Sequence, residues 1–122
     1  MAFKFVNMNP SGAKTDDCVT RAIALVSGLD YYDVQEKLVL TSKLFGCDRL
    51  SKCCYSNLLE KVFGYTPIFC KGMTVEEFCI ENPFGVFLVR LPNHLTAIVD
   101  GKVNDTWDCS DLICDQAWFV CE

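Results

Sequence analysis

Residues 94–107 read HLTAIVDGKVNDTW, and this stretch decides the fold. Apolar and β-branched residues lie on both sides of Asp100 and Gly101. An Asp-Gly pair between two such segments is typical of a β-hairpin with a two-residue turn. The sequence therefore predicts an antiparallel pair of strands, 94–99 and 102–107, joined by a tight turn.

The turn also predicts which side chains of this hairpin meet. Val99 lies opposite Lys102, so Thr96 faces Asp105 and His94 faces Trp107. Successive side chains of a strand point to opposite faces of the sheet, and diagonal neighbours lie within side-chain reach of each other. One face of the sheet is therefore expected to carry His94, Thr96, Val103, Asp105 and Trp107, with Asn104 on the other face.

Two further strands are predicted around this hairpin. Residues 84–90 form a largely apolar run that suits a central strand, and residues 91–93 form a turn that leads into the hairpin. Residues 117–121 form a closing strand. These segments make an antiparallel sheet in the C-terminal part of the chain.

Four helices are predicted before the sheet. The first follows Asp16 or Asp17, either of which can cap it, and Gly28 ends it. The second starts at Asp30, the third covers about 51–63, and a capping-box pattern at 74–77 starts a short fourth. Helices followed by an antiparallel sheet predict an α+β fold. The length of 122 residues suits a single domain, 1–122.

Composition narrows the classes of function. The net charge of −5 argues against a general nucleic-acid binder. No apolar run is long enough to span a membrane, and the N-terminal residues lack the pattern of a secretory signal. We therefore expect a cytoplasmic protein with neither nucleic acid nor membrane as a partner.

The chain contains nine cysteines and one histidine. An odd number cannot pair completely, and a disulfide scaffold is not expected in the cytoplasm. Zinc sites usually combine closely spaced Cys-x-x-Cys pairs or Cys with His, and the chain has no Cys-x-x-Cys. We expect no metal and no cofactor. The cysteines are Cys18, Cys47, Cys53, Cys54, Cys70, Cys79, Cys109, Cys114 and Cys121.

Cys18, His94 and Asp105 are the candidate catalytic residues. Asp105 lies close enough to accept a proton from the His94 imidazole and stabilise its charged form. Cys18 lies in the first turn of the first helix, where free N–H groups and the helix dipole favour a thiolate. The neighbouring carboxylates Asp16 and Asp17 oppose this effect, and a charged His94 outweighs them.

This combination resembles the papain-like cysteine peptidases. In that family a cysteine opens a helix, a histidine starts a later strand, and the third residue often lies in an Asn-Ser-Trp motif, which residues 105–107 match as Asp-Thr-Trp. Asp17 before Cys18 is similar to small bacterial and phage-borne relatives. The resemblance implies a papain-like fold and a cysteine hydrolase, a peptidase, isopeptidase or amidase acting on a peptide or protein.

Two departures from the family pattern leave alternatives open. Papain has an oxyanion-hole glutamine six residues before its nucleophile, and Gly12 stands at that position here. Asn7, Asn9, Thr15 or backbone N–H groups are the candidate replacements. The chain is also shorter than papain. The alternatives are an inactive papain-like binding or accessory protein and an acyltransferase that uses the same three residues.

The remaining eight cysteines are expected to be dispensable for activity. The sequence gives none of them a helix-start position and none of them a histidine partner.

Overall fold

The computed structural model describes residues 3–12, 17–70 and 72–122. Within them the chain is an α+β structure, as the sequence predicts. The helices are α1 (Cys18–Ser27), α2 (Tyr31–Phe45), α3 (Lys52–Asn57), which continues into a π-helical turn (Leu58–Val62), and α4 (Val75–Glu81). The strands are β1 (Phe3–Phe5), β2 (Thr66–Ile68), β3 (Val86–Leu91), β4 (His94–Val99), β5 (Lys102–Asp105) and β6 (Gln116–Cys121).

The helices begin and end close to where the sequence predicts them. Gly28 ends α1 with a φ of 73°, a left-handed conformation that glycine adopts without strain. The Asp30 side chain accepts a hydrogen bond from Tyr32 N and caps α2. Thr74 and Glu77 form the complete capping box of α4. The predicted third helix is correct in extent, although its last turn is π-helical.

The sheet has six strands in the order β1-β5-β4-β3-β6-β2 among the described residues. The prediction of a purely C-terminal, antiparallel sheet is therefore incomplete. β1 adds to the edge of β5 in parallel, and β2 pairs antiparallel with β6. Each of these edge strands has only three residues, too few to show a clear alternation of apolar and polar side chains.

The predicted hairpin register is confirmed. Val99 pairs with Lys102, and Ala97 pairs with Asn104. Asp100 and Gly101 have φ angles of 49° and 74°, as a type I′ turn requires. The predicted second strand is too long, because β5 ends at Asp105 and the chain then leaves the sheet.

The preceding turn is shorter than predicted. Leu91 belongs to β3 and pairs with His94, so the turn contains only Pro92 and Asn93. Asn93 has a φ of 58°, a conformation that asparagine tolerates better than most residues. β3 also starts later than predicted, at Val86, and the Phe84 side chain before it is exposed. His94 is consequently the first residue of β4.

Different elements pack against the two faces of the sheet. Helices α1 to α3 pack on one face against Leu88, Leu95, Ala97 and Trp118. On the other face α4 and the segment 106–115 cover a second core that contains Phe87, Val89, Ile98 and Val103. The expectation that the helices pack on the sheet is therefore correct, but α4 lies on the opposite face from the others.

None of the helices in the described ranges has the length and apolar character needed to cross a membrane.

Candidate active site

His94 and Asp105 form the hydrogen-bonded pair that the hairpin register predicts. Nε2 of His94 lies 2.6 Å from Oδ2 of Asp105. The Thr96 hydroxyl donates to the same oxygen at 2.7 Å, and the Thr106 N–H donates to Oδ1 at 2.7 Å. Both carboxylate oxygens are thus fixed from two strands and the following turn. Asn104 does not compete, because its side chain donates to Lys102 O instead.

Cys18 is the first residue of α1, and it lies at the same surface opening as His94. The His94 imidazole and the Leu95 backbone are the groups that interact most strongly with its thiol. Helix α1 packs against β4, which brings the start of the helix to the start of the strand. The fold therefore joins the three predicted site residues in the order Cys18, His94, Asp105, with the imidazole in the middle.

The charges of this group follow from its contacts. Burial disfavours the imidazolium of His94, but hydrogen bonds to Asp105, Cys109 and Cys18 outweigh it and raise the pKa of His94 to about 11. Burial also opposes ionisation of the Cys18 thiol, yet His94, the Leu95 backbone and Arg21 lower its pKa overall. Burial likewise opposes ionisation of Asp105, but hydrogen bonds from His94 and Thr96 lower the pKa of its carboxyl overall. The arrangement favours a thiolate–imidazolium pair backed by a carboxylate.

A cleft of about 880 Å³ opens over Cys18 and His94. Its walls come from the start of α1, the first part of α3 with the segment that leads into it, the turn between β3 and β4, and the two residues that follow β5. Trp107 lies at its rim, 44% exposed, and its ring centroid is 4.8 Å from that of His94. The predicted packing of Trp107 on His94 is thus confirmed, although Trp107 lies in a turn and not in a strand. The cleft is large enough for several residues of a peptide.

Asp17 occupies the N-cap position of α1, but its side chain does not cap the helix. Its Oδ1 lies 2.7 Å from Nε of Arg21, and its Oδ2 accepts hydrogen bonds from the Tyr31 hydroxyl and from Nδ2 of Asn9. The Asp17 charge is therefore balanced by Arg21 and directed away from the thiol. Asp16, the other predicted cap, lies outside the described residues.

Arg21 is the residue that sequence reasoning missed. Its Nη1 donates to Thr106 Oγ1 at 2.7 Å and lies 3.9 Å from Oδ1 of Asp105. Its side chain is only 12% exposed. Arg21 connects α1 to the end of β5, the two elements that carry the nucleophile and the carboxylate. The spacing of Asp17 and Arg21 on one helix indicates an ion pair, but no pattern in the sequence indicates the contact of Arg21 with residues 105–106.

The predicted replacements for the missing glutamine find little support. The Asn9 amide donates to Asp17 and Tyr31, and its carbonyl oxygen accepts from Ser11. The Asn7 carbonyl oxygen accepts from Asn9 N. Neither asparagine lines the cleft. Thr15 lies outside the described residues. The backbone N–H groups at the start of α1, which have no partners within the helix, remain as candidate oxyanion donors.

The expectation that no other cysteine meets the histidine is wrong for Cys109. It is 1% exposed, and its thiol is one of the groups that raise the pKa of His94. Cys109 lies in the irregular segment after β5, where no periodic pattern predicts its direction. Its sulfur lies within 4.8 Å of ligand atoms on His94 and Asp105.

These three groups are the set within the described ranges that is able to hold a metal ion. Two ligands of a tetrahedral zinc lie roughly 3.3 Å apart, given bonds of about 2.0–2.1 Å. The distance of 2.6 Å between Nε2 of His94 and Oδ2 of Asp105 is shorter, and it is a normal value for a charge-assisted hydrogen bond. The geometry therefore fits a hydrogen-bonded group better than a metal centre.

No family model matches this chain, and neither a curated protein nor a solved structure matches it significantly.

Proposed function

We propose that the protein is a cysteine hydrolase that cleaves peptide, isopeptide or other amide bonds. The observation that carries this proposal is the position of His94 between the Cys18 thiol and the Asp105 carboxylate, next to an open cleft. A nucleophile, a base and a group that orients the base are the three parts that nucleophilic acyl transfer requires.

In this mechanism Cys18 attacks the carbonyl carbon of the substrate as a thiolate. His94 holds the thiol proton as an imidazolium and gives it to the leaving amine, which produces an acyl-enzyme on Cys18. His94 then removes a proton from water, and the resulting hydroxide attacks the thioester and releases Cys18. Asp105 keeps Nε2 of His94 protonated, so Nδ1 is the nitrogen that exchanges a proton with Cys18.

The negative charge on the substrate oxygen needs donors at the start of α1. Among the described residues, Asp17 stands at the N-cap, and its side chain binds Arg21 and Tyr31 instead of the N–H groups of the first turn. The positive end of the helix dipole adds to their effect. These groups take the place of the glutamine that is absent at Gly12.

The resemblance to papain-like peptidases supports the same proposal. The order of Cys18, His94 and Asp105, the helix that starts at the nucleophile, and the aromatic ring of Trp107 on His94 are all features that this resemblance implies. We therefore propose a small papain-like fold with a peptide or protein substrate in the cytoplasm. This type of catalysis requires neither a metal nor a cofactor.

The experiment is a panel of fluorogenic peptide, isopeptide and simple amide substrates, tested with the wild type and with Cys18→Ala. Cys121→Ser, which changes an exposed cysteine that does not line the cleft, is the matched control. We expect turnover by the wild type and the control, and a loss on the order of 10⁴-fold or more in Cys18→Ala. Equal turnover by Cys18→Ala and the wild type would overturn the proposal.

A second measurement separates hydrolysis from acyl transfer. A primary amine added to the same assay competes with water for the acyl-enzyme. Product that consists mainly of the free acid supports a hydrolase, whereas product that consists mainly of the new amide indicates an acyltransferase with the same three residues.

A further inference from the structure

In the part of the chain that the structure describes, the charged side chains that line the cleft are all basic. They are Arg21, Lys52 and His94, and neither an aspartate nor a glutamate of the described ranges lines it. Over the whole chain, by contrast, acidic residues outnumber basic ones and the net charge is −5. The cleft therefore differs in charge from the molecule as a whole.

Two of these three cations are balanced within the fold. Nε of Arg21 lies 2.7 Å from Oδ1 of Asp17, and Nη1 of Arg21 donates to the Thr106 hydroxyl. The Arg21 side chain is also only 12% exposed. His94 has Oδ2 of Asp105 at 2.6 Å from its Nε2. Neither cation is therefore free to pair with an acidic group of a substrate.

The charge of Lys52 is only weakly balanced. Its Nζ lies 3.6 Å from Oδ2 of Asp115, which is too far for a hydrogen bond. The same oxygen accepts a hydrogen bond from Nε of Arg90 at 3.0 Å, and Asp115 N donates to Arg90 O. Two cations thus share one carboxylate that is already bound to Arg90. Lys52 is the more exposed of the two, since 58% of its side chain is accessible against 19% for Arg90.

The position of Lys52 in its helix gives no reason for a basic residue. Lys52 is the first residue of α3, where the positive end of the helix dipole disfavours a cation. Its contact with Asp115 is a surface ion pair, and pairs of this kind contribute little to stability. A residue that opposes the local preference without a clear gain in stability is typical of a functional site.

Two large apolar side chains line the same cleft. Leu50 is 38% exposed and Trp107 is 44% exposed. A carboxylate placed against either of them would lose water without gaining a partner, which is unfavourable. A negative charge on a bound peptide is therefore favoured at Lys52, whereas apolar groups are favoured at Leu50 and Trp107.

We propose that Lys52 is a specificity-determining residue that pairs with a carboxylate of the substrate, so that the protein acts on acidic peptide segments. The preference in turnover rests on the proposed hydrolase function, whereas the preference in binding depends on the cleft alone. The carboxylate comes from an Asp or Glu side chain or from the end of a peptide chain. Its pairing with an exposed lysine should raise affinity by about fivefold, the equivalent of about 1 kcal/mol.

Binding is tested with random, N-acetylated hexapeptides passed over immobilised Cys18→Ala, which cannot form an acyl-enzyme. The library is made once with C-terminal amides and once with free C-terminal carboxylates, and retained peptides are identified by mass spectrometry. We expect the amide library to be enriched about fivefold in Asp and Glu over Asn and Gln. Recognition of a chain end would instead favour the free carboxylates, without enrichment of Asp and Glu.

Either preference should disappear in Cys18→Ala/Lys52→Gln. Cys18→Ala/Lys102→Gln is the matched control, because it removes an exposed lysine outside the cleft and changes the net charge equally. This control should keep the preference. Retention that is the same with and without Lys52 in both libraries, or no retention of acidic peptides at all, would overturn the proposal.

Turnover separates this inference from the proposed hydrolase. The best substrate of the panel is remade with Glu, Gln or Lys at one position at a time, and kcat/KM is measured for each peptide. The wild type should prefer Glu at one position, and Lys52→Glu should prefer Lys there, whereas Lys102→Glu should behave as the wild type. Turnover without a charge preference at any position would contradict the role of Lys52 alone. A preference in binding that depends on Lys52, without any turnover, would count against the hydrolase alone.

Discussion

Cys18 and Cys114 carry the same thiol in opposite surroundings. Cys18 lies at the start of α1 beside an imidazole, and its pKa is lowered. Cys114 lies in the core under α4, where burial and the neighbouring thiol of Cys70 raise its pKa to about 12. Burial acts in the same direction on both. Cys18 differs from Cys114 because a cation and hydrogen-bond donors surround its thiol. The groups next to a thiol, and not its burial, therefore decide whether it is reactive in this chain.

The same contrast separates Cys18 from Cys79, a buried residue of α4 itself. Burial raises the pKa of Cys79 to about 11, with nearby Cys109 adding to the effect. Among the nine cysteines, one thus has a lowered thiol pKa at the cleft, whereas burial in the core raises the thiol pKa of others. The predictions below test whether the contacts on the cleft side cause this difference.

Among changes that leave the Cys18 thiol in place, the largest expected effect comes from Asp105→Ala. His94 would lose its main acceptor and the charge that stabilises the imidazolium, and turnover should fall by about 10²–10⁴-fold. Asn104→Ala is the matched control, since Asn104 points elsewhere and donates to Lys102 O. Turnover of each variant is measured on the same substrate. If Asn104→Ala abolished turnover and Asp105→Ala preserved it, the role of the hairpin register would be refuted.

Arg21→Ala should destabilise the fold by about 3 kcal/mol, because it leaves the buried Asp17 carboxylate without its cation. Urea unfolding measures this change. Lys102→Ala removes an exposed cation and should have an effect close to zero. Arg21→Lys keeps the charge and should recover part of the stability. Equal stability of the wild type and Arg21→Ala would show that this connection between α1 and β5 contributes little.

The raised pKa of His94 predicts a dependence of stability on pH. A histidine whose pKa is raised on folding stabilises the folded state fully below its unfolded pKa of about 6.5, and this contribution is lost as the pH rises towards the folded value. Cys18→Ala is the best background, because the thiol then no longer titrates against the imidazole. Within it, the unfolding free energy should exceed that of Cys18→Ala/His94→Gln by an amount that shrinks as the pH rises above about 6.5.

A direct control exists because the chain has a single histidine. Its imidazole protons give one titrating set of NMR signals. An ordinary histidine titrates with a midpoint near pH 6.5. Because the pKa of His94 is raised to about 11, its signals in the wild type should stay at the imidazolium position well above that pH. A midpoint at the ordinary value would contradict both the Asp105 contact and the stability prediction.

The smallest expected effect comes from Cys109→Ala. This change removes a sulfur that lies within 4.8 Å of the imidazole and helps to raise the pKa of His94. The loss of one polar interaction of about 1 kcal/mol should lower turnover by about fivefold. The NMR midpoint of His94 should fall as well, which a merely structural role would not produce. Cys109→Ser should restore both values, and Cys70→Ala should leave both unchanged. An unaltered His94 midpoint in Cys109→Ala would remove Cys109 from the site.

The parts of this site that the sequence predicts are those that local rules determine. The Asp100-Gly101 turn fixes the pairing of β4 with β5, and this pairing brings Asp105 to His94. The Gly28 and Thr74 helix boundaries follow from equally local chemistry.

The other contacts depend on tertiary packing. Arg21 meets Thr106 across 85 positions of sequence, and Cys109 reaches His94 from a segment without periodic structure. The edge strands β1 and β2 are too short to show a pattern, and their pairing depends on partners that the rest of the fold supplies. Long-range contacts of this kind produce no regular residue spacing from which they could be predicted.

The central claim is that His94 activates Cys18, whereas burial in the core makes the thiols of Cys79 and Cys114 unreactive. The most direct measurement is the rate of alkylation of each cysteine by limiting iodoacetamide at neutral pH, determined by peptide mapping in the wild type and in His94→Ala. We predict that Cys18 is alkylated first in the wild type, well ahead of Cys79 and Cys114, and that His94→Ala removes this lead. Alkylation of Cys18 at the same rate in both proteins, or no faster than that of the exposed Cys121, would contradict the claim.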